Sequence, residues 1–312
     1  MVGKNMTEVR QADGAGVDRA VAVLRGGGLV AIPTETVYGL AARADSDAAV
    51  ARIYAAKGRP GFNPLIVHVA GIEQAQQLAE FDEQALAFAR DVWPGPVTLV
   101  LPRKPDAKLA AAVTAGLDSV ALRVPAHEVA RNIMAELGLP LAAPSANRSG
   151  FTSPTTAAHV LATLEGKVDL VLDAGPCEQG VESTILKYLG DGQWQLLRAG
   201  PRDSAADPRE DVTGEQPERI EAPGQLASHY SPGKPVRLDA QMAQPDEFMI
   251  GFGEVAGDCT LSASGDLSQA ARQLYACLHL AAASPKPRVA VAPVPVSGIG
   301  VAINDRLRRA AA

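Results

Sequence analysis

The stretch Leu29-Val-Ala-Ile-Pro-Thr-Glu-Thr-Val-Tyr-Gly-Leu40 places a short apolar run directly before a segment of hydroxyl and carboxylate side chains. Residues 29–32 are typical of a buried strand, and residues 33–40 then form the loop that follows it. Ligands of open α/β sheets bind where the strands end. The stretch therefore predicts an α/β fold with polar ligand contacts at residues 33–40, although threonine and proline also favour loops that bind nothing.

Helix and strand patterns alternate on both sides of this stretch. Apolar residues recur at helical spacing from Val17 to Leu24, and the glycines at 26–28 end that helix. A second helix is predicted to begin at a cap on Asp45 or Ser46. Further helices are predicted at 72–91 (two short ones), 129–137 and 155–164, and strands at 65–69, 97–101, 120–124, 141–143, 170–172, 184–188 and 194–197.

This alternation predicts a twisted mixed sheet flanked by helices over residues 1–202. Residues 203–235 are rich in Pro, Gly, Asp and Glu, so we predict a linker there. Residues 236–312 predict a smaller, Rossmann-like α/β domain. Its strands are predicted at 236–238, 248–252 and 289–292, and its helices at 267–283 and 301–311.

Composition excludes several classes of protein. A net charge of -6 provides no global basic field for nucleic acid. The three cysteines, Cys177, Cys259 and Cys277, form no CxxC pair, which excludes a zinc framework and favours a reducing compartment. Residues 1–18 do not resemble a signal peptide, and no uncharged apolar stretch approaches the ~20 residues of a membrane span. These features predict a cytoplasmic protein.

A second polar segment, Lys57-Gly-Arg-Pro-Gly-Phe-Asn-Pro-Leu65, leads into a strand that carries His68. Two cations on a glycine-containing backbone suit a phosphate chain. A cation at a helix C-terminus also favours the helix dipole, so the segment alone does not decide between the two interpretations. A lone strand histidine is more often structural than catalytic, but His68 shares a segment with the cations.

More hydroxyls and cations fall at the ends of predicted strands. Pro144-Ser-Ala-Asn-Arg-Ser-Gly150 follows a short strand and offers a serine and an asparagine to a phosphate or nucleotide. Arg123 ends an apolar strand and needs an anionic partner, such as a carboxylate. Glu182-Ser-Thr184 precedes a strand, and Arg198 ends one. We therefore predict that these side chains converge on one pocket.

Two features of the second domain are interpreted as structural. Cys277 is predicted to be buried within its helix. Arg306, Arg308 and Arg309 are predicted to form a solvated helix face.

Together these motifs resemble the YrdC-type domain of threonylcarbamoyl-AMP synthases over residues 17–201. Ser228-His-Tyr-Ser-Pro232 is similar to the linker motif of that family, with Ser231 where alanine is usual. Residues 298–309 resemble the tail of the longer, Sua-type members. The other matching pieces are residues 33–40, 57–59, 63–68, 119–125, 144–147, 182–185 and 197–201.

The resemblance implies synthesis of L-threonylcarbamoyl-AMP from L-threonine, bicarbonate and ATP, with release of pyrophosphate. The product would supply the modification of the adenosine next to the anticodon of tRNA, through a downstream tRNA threonylcarbamoyl-transfer complex. Mg²⁺ is expected with ATP, held mainly by the phosphates. The family also leaves direct binding of tRNA open.

The resemblance also assigns residues. Lys57 and Arg59 would be catalytic because they neutralise the phosphates, and Tyr230 would close the site from the linker. Which of Thr34 and Thr36 contacts threonine stays open. The implied ATP-binding residues are Lys57, Arg59, Asn63, Ser119, Ser145, Asn147, Ser153, Arg198 and Tyr230. The implied threonine-binding residues are Thr34, Thr36, His68, Arg123, Ala143 and Ser183.

Two other functions are compatible with some of these residues. A non-catalytic module that binds double-stranded RNA or tRNA would also use clustered phosphate-binding side chains. A carbamoyl-transfer enzyme of the hydrogenase-maturation type would share the domain, but the chain lacks the zinc-finger cysteines expected there. The threonine contacts implied at His68, Arg123 and Ser183 favour the synthase.

Overall fold

The computed structural model describes residues 6–202 and 220–312, which form two α/β units with separate sheets. The strands of the larger sheet are β1 (Glu8–Gln11), β2 (Val30–Ile32), β3 (Gly39–Arg43), β4 (Ile66–His68), β5 (Val97–Pro102), β6 (Ser119–Arg123), β7 (Leu141–Ala142), β8 (Leu170–Asp173), β9 (Thr184–Gly190) and β10 (Gln193–Arg198). They lie in the order β1-β8-β2-β3-β7-β4-β6-β5-β9-β10, with parallel and antiparallel neighbours. The predicted mixed sheet is confirmed.

Helices pack on this sheet, and four of them begin at a residue whose side chain caps the helix. They are α1 (Gly14–Arg25), α2 (Asp47–Lys57), α3 (Ile72–Gln76), α4 (Glu83–Val92), α5 (Ala111–Thr114), α6 (Glu128–Leu137) and α7 (Ala157–Leu164). The Ser46 hydroxyl accepts from the Ala49 amide at 3.3 Å, so Ser46 rather than Asp45 is the N-cap of α2. Gly58 ends that helix with φ at 60°, a left-handed conformation that favours glycine.

The sequence pattern does not predict two strands of the larger sheet, β1 and β3. Strand β3 is made mostly of alanine and glycine, which have low strand propensity, yet it is buried between β2 and β7. Strand β1 is a polar edge strand that pairs in parallel with β8. In both cases pairing with neighbours decides the conformation, and the local residue pattern does not.

The second unit contains a smaller sheet, as predicted. Its elements are β11 (Val236–Arg237), β12 (Glu247–Gly251), β13 (Cys259–Thr260), α8 (Leu267–Ala283), β14 (Arg288–Val291) and α9 (Gly300–Ala311). The strand order is β11-β14-β12-β13, and all neighbours are parallel. Of the predicted linker, residues 203–219 lie outside the described residues, so the linker boundaries stay predictions. No helix in the described part of the chain is long and apolar enough to cross a membrane.

Cys259 in β13 and Cys277 in α8 form a disulfide with an S–S distance of 2.07 Å. The prediction of a reducing compartment therefore loses its support from these two cysteines. Their separation of 18 residues carries no pairing signal, and they meet because α8 packs beside β13. Cys277 is buried, as predicted, and Cys177 is a buried free thiol.

Residues next to several strand ends lie close together on the larger sheet, although the strands run in both directions. Strands β4 and β6 are parallel, and their last residues, His68 and Arg123, are paired in register. Strands β2 and β7 run opposite to β4, and they are followed by the polar loop of residues 33–38 and by Pro144. Side chains from distant segments of the chain come together in this region of the sheet.

Removing a side chain from the sheet core tests this packing. Leu99 lies in β5 with 0% exposure, and its truncation leaves a cavity that the surrounding sheet cannot fill. We expect Leu99→Ala to lower the free energy of unfolding by about 2–5 kcal/mol, measured by urea denaturation. Leu189→Ala, at a leucine with 55% exposure in β9, is the matched control and should change stability by less than about 0.5 kcal/mol. Equal losses for the two variants would contradict the assignment of Leu99 to the core.

Candidate functional site

A pocket with an empty volume of about 540 Å³, which includes space open to solvent, lies in this region of the larger sheet. Most of the residues predicted from the sequence line it: Thr34, Thr36, Arg59, His68, Arg123, Ala143, Ser145, Ser183, Arg198 and Tyr230. The predicted convergence of strand-end side chains on one pocket is therefore confirmed, while their roles stay predictions.

The remaining predicted residues do not line the pocket. Lys57, Asn63 and Asn147 lie directly behind it, each hydrogen-bonded to a residue that does. Ser153 is buried beside the Glu182 carboxylate. Ser119 is at the start of β6, at the opposite end of that strand from Arg123. The structure thus separates a pocket wall from a supporting layer and leaves Ser119 apart from both.

The ammonium group of Lys57 is enclosed by the loop after β7. Its Nζ atom donates to the carbonyl oxygens of Ser145 and Asn147 at 2.6 Å each, and to Asn147 Oδ1 at 3.3 Å. Burial, and then the neighbouring positive charge of Arg59, lower the pKa of Lys57 well below its usual value. Lys57 therefore holds the loop that presents Ser145 to the pocket.

Arg59 reaches the pocket wall from the loop after α2. Its Nη2 donates to Asn63 Oδ1 at 2.6 Å and to the Pro64 carbonyl at 2.7 Å, and its Nε donates to the Asn63 carbonyl at 3.1 Å. Burial lowers the pKa of Arg59 to about 10, so the guanidinium remains charged at neutral pH. These bonds orient the planar cation from one side and make Arg59 a candidate for binding an anion.

Arg123 lies between the polar loop after β2 and the end of β6. Its Nη2 is 2.7 Å from Glu35 Oε1, and its Nη1 donates to Thr36 Oγ1 at 2.9 Å. Burial alone would raise the pKa of Glu35, but the charge and hydrogen bonding of Arg123 lower it overall. The anionic partner predicted for Arg123 is thus found within the chain, in Glu35. The Thr34 and Thr36 hydroxyls are 2.9 Å apart beside this ion pair.

His68 presents a neutral imidazole to the pocket. Burial, and then the adjacent charge of Arg123, lower its pKa to about 3. Its Nδ1 atom is buried without a hydrogen-bond partner. A buried unpaired ring nitrogen is costly and is typical of an atom that a ligand satisfies.

Ser183 is fixed by residues from two other segments. Arg198 donates from Nε to the Ser183 carbonyl and from Nη2 to Ser183 Oγ, each at 3.1 Å, and Thr98 Oγ1 is 2.8 Å from the same hydroxyl. Arg198 also donates from Nη1 to the Pro223 carbonyl at 3.2 Å. One guanidinium therefore joins the pocket wall to the segment that follows the first unit.

Tyr230 lies in the pocket wall, where the prediction places the end of the linker. It is 1% exposed and has a φ of 64°, an uncommon conformation for a tyrosine that is often found at functional sites. Thr152 Oγ1 donates to the Tyr230 carbonyl at 3.1 Å. Gly224 lines the same wall, and a Cβ atom there would lie 2.9 Å from the Tyr230 hydroxyl. Only glycine therefore allows this approach of the two segments.

The structure adds Glu182 and His229 to the pocket wall, and the sequence analysis gave neither of them a ligand role. The Glu182 carboxylate accepts from Arg306 Nε at 3.0 Å and from the Tyr275 hydroxyl at 2.7 Å. Burial opposes ionisation, but Arg306 and then Arg198 overcome it and lower the pKa of Glu182 to about 2. His229 falls within the linker motif at 228–232, which was the available signal for it.

The interpretation of the C-terminal arginines as a solvated face is wrong for Arg306, which is 0% exposed. Arg308 is exposed as predicted, and Arg309 is partly buried and pairs with Asp305 at 3.0 Å. A signal for Arg306 existed in the helical spacing of α9, because it shares the apolar face of that helix. The buried neighbours on that face are Ala302, Ile303, Leu307 and Ala310.

Comparisons with known families match residues 22–312 of the chain. The Sua5/YciO/YrdC family, described as "Telomere recombination", matches residues 22–200, and the "Threonylcarbamoyl-AMP synthase, C-terminal domain" matches residues 193–312. The chain is 39% identical to a threonylcarbamoyl-AMP synthase of Bacillus subtilis, covering 95% of this chain and 92% of that protein. It is 36% identical to one of Pyrococcus abyssi, covering 93% and 92%. The crystal structure of P. abyssi Sua5 with L-threonine superposes with a TM-score of 0.87 at 34% identity, covering 98% of this chain and 97% of that one.

Because His68 is buried in its neutral form, we expect it to destabilise the fold at acidic pH. Its pKa is about 3 in the fold against 6.5 as the ordinary value, so only the unfolded chain binds a proton between these pH values. The contribution is absent above the ordinary pKa, and below it His68 lowers the free energy of unfolding by about 1.4 kcal/mol for each pH unit. We expect His68→Gln to reduce the slope of stability against pH by about that amount, measured by urea denaturation from about pH 7 to pH 4.

Near-UV circular dichroism of the His68→Gln variant at neutral pH is the control for a native fold. Identical slopes for the variant and the unmodified chain would show that His68 ionises normally in the fold.

Proposed function

The chain belongs to the Sua5/YciO/YrdC family of threonylcarbamoyl-AMP synthases, and on that premise we propose that its pocket joins L-threonine, bicarbonate and ATP. The protein is an enzyme of the nucleotidyl-transfer type that makes the precursor of threonylcarbamoyladenosine in tRNA. The alternative of a non-catalytic RNA-binding module is set aside by these relatives. The observation that carries the residue roles below is the convergence of three buried arginines, Arg59, Arg123 and Arg198, on one pocket.

The reaction forms two bonds in succession. The threonine amine adds to the carbon of bicarbonate and water leaves, which gives a carbamate. A carbamate oxygen then attacks the α-phosphorus of ATP, and the bond to the bridging oxygen breaks to release pyrophosphate. Such a transfer needs alignment of the two substrates and neutralisation of charge more than it needs a protein nucleophile. The proposed residues supply those two functions.

The ATP side of the pocket is proposed to be the wall formed by Arg59, Ser145 and Arg198. Arg59 and Arg198 would stabilise charge on the phosphates, and the Ser145 hydroxyl would donate to a phosphate oxygen. Lys57 would act from behind, since its charge lies next to the Ser145 carbonyl. ATP binding is also proposed for the other residues that the resemblance assigns to the nucleotide: Asn63, Ser119, Asn147, Ser153 and Tyr230.

The threonine side is proposed to be the wall formed by Thr34, Thr36, His68, Arg123, Ala143 and Ser183. Arg123 would share its charge between Glu35 and the carboxylate of threonine, with which the neutral His68 ring can also form a hydrogen bond. The hydroxyls of Thr34, Thr36 and Ser183 suit hydrogen bonds to the side chain and amine of a small polar amino acid. A solved relative that holds L-threonine supports this part of the proposal.

Mg²⁺ is proposed to enter with ATP and to be held mainly by phosphate oxygens. The pocket residues fit that arrangement, because the two acids of the site, Glu35 and Glu182, each lie against an arginine, at 2.7 and 3.0 Å. When bound, Mg²⁺ would neutralise charge on the leaving pyrophosphate. In the described part of the chain, no group of three or more His, Cys, Asp or Glu side chains is arranged to hold a metal ion.

Tyr230 is proposed to close the pocket over the bound substrates. It reaches the wall from the segment that follows the first unit and is anchored by Thr152, so it can exclude water from the reactive mixed carbamic–phosphoric anhydride product. The product would pass to a downstream tRNA threonylcarbamoyl-transfer complex. We also propose a cytoplasmic location, because the product is used to modify tRNA.

The overall reaction is tested by pyrophosphate release from ATP. We expect release when L-threonine, bicarbonate and Mg²⁺ are all present, and loss of release when either L-threonine or bicarbonate is omitted, because the attacking oxygen belongs to the carbamate. The product is checked by mass spectrometry. Release that continues without threonine would show simple ATP hydrolysis and would overturn the proposed reaction.

The cations of the pocket are tested by Arg59→Ala and Lys57→Met. Each loses a charge-assisted interaction near the phosphates, so we expect kcat/KM for ATP to fall by on the order of 10- to 100-fold. Lys108→Ala, at an exposed lysine outside this pocket, is the matched control and should keep unmodified kinetics. If Arg59→Ala retains full kcat/KM while folded, the phosphate role of Arg59 is wrong.

A further inference from the structure

Glu182 is the residue of the pocket wall that side chains of the second unit contact from behind. The carboxylate lies in the pocket wall and is held by Arg306 from α9 and Tyr275 from α8. The Arg306 Nε is 3.0 Å from Glu182 Oε2, and the Tyr275 hydroxyl is 2.7 and 2.9 Å from the two carboxylate oxygens. All three side chains are buried.

The negative charge of this carboxylate opposes the binding of ATP in the proposed reaction. ATP and pyrophosphate are strongly anionic, and a buried negative charge in the same pocket repels them because little water screens the interaction. The pKa of Glu182, lowered to about 2 by Arg306 and Arg198 against the effect of burial, means that the group is charged at every physiological pH. Compensation must therefore come from a nearby cation.

Arg306 is placed to provide that compensation without competing for substrate. Its guanidinium does not line the pocket, and it lies behind Glu182 with 0% exposure. It donates to Asp305 Oδ2 at 3.0 Å from Nη1, and it lies 5.5 Å from the centre of the Tyr230 ring. Arg198 already donates to Ser183 and Pro223, so it cannot orient on Glu182 in the same way.

We propose that Arg306 is a positioning residue for ATP: it neutralises Glu182 from behind, and the second unit thereby makes the pocket acceptable to a triphosphate. Tyr275 holds the carboxylate against Arg306 and away from the ligand. The inference rests on the proposed function and gives the C-terminal unit a specific part in it. If Arg306 only helped to pack the two units together, it would make the same contacts, but its positive charge would not affect ATP binding.

The difference between charge and docking can be measured with a rescue experiment in the full chain. Arg306→Met keeps much of the side-chain volume and leaves Glu182 unpaired, so we expect KM for ATP to rise by on the order of tenfold or more, with KM for threonine changed less. Adding Glu182→Gln removes the uncompensated charge, and the double variant should return to within about threefold of the unmodified KM for ATP. Arg308→Met, at an exposed arginine of the same helix, should change neither constant.

Each outcome bears on the inference. An unchanged KM for ATP in folded Arg306→Met overturns it, and so does a double variant as impaired as the single one, because packing rather than charge would then be the cause. If Arg306→Met does not fold, Glu182→Gln alone decides: an unchanged or lower KM for ATP supports charge compensation, and a tenfold increase contradicts it.

Direct binding of ATP, measured by calorimetry on the same variants, separates this inference from the proposed function. If the unmodified chain binds ATP but releases no pyrophosphate with all substrates present, the proposed reaction fails. The dissociation constants for ATP then still test Arg306, with the same order expected: weaker for Arg306→Met and restored in the double variant.

Discussion

Buried charge is the constraint on which the rest of this structure depends. Lys57, Arg59, Arg123, Arg198 and Arg306 are all shielded from water, and a charge in that position is tolerated only when oxygen atoms surround it. Backbone carbonyls and side-chain oxygens supply those contacts from segments far apart in the chain. The need to satisfy each cation therefore draws the loops at the strand ends into one defined arrangement, and the pocket is its result.

The same contacts explain why the pocket is suited to a reaction that depends on alignment. Carbonyl oxygens hold Lys57 and Arg59 at fixed positions, so their charge is oriented before a ligand arrives. Preorganised charge stabilises a transition state without the cost of rearranging water. Neutral His68 adds a hydrogen-bonding group that does not change charge with pH in the physiological range.

The second unit is part of this network and more than an attached domain. Its helices provide Tyr275 and Arg306 to Glu182, and the ring of Tyr230 lies 5.8 Å from that of Tyr275 and 5.5 Å from the Arg306 guanidinium. Both the wall of the pocket and the residue proposed to close it therefore contact the same two side chains. This connection gives a physical reason for a chain that carries both units.

The sequence by itself determined the mixed α/β class, most helix and strand positions, and the polar residues at the strand ends, because periodicity and capping are local properties. It also identified most of the pocket wall, since polar residues at or next to the ends of buried strands line the pocket. Only the tertiary structure decided that β3 is a strand, that Glu35 pairs with Arg123, that Cys259 and Cys277 are bonded, and that Arg306 is buried against Glu182. These features depend on which distant residues meet, and a buried charge on an apolar helix face becomes interpretable only when its partner, 124 residues away, is in view.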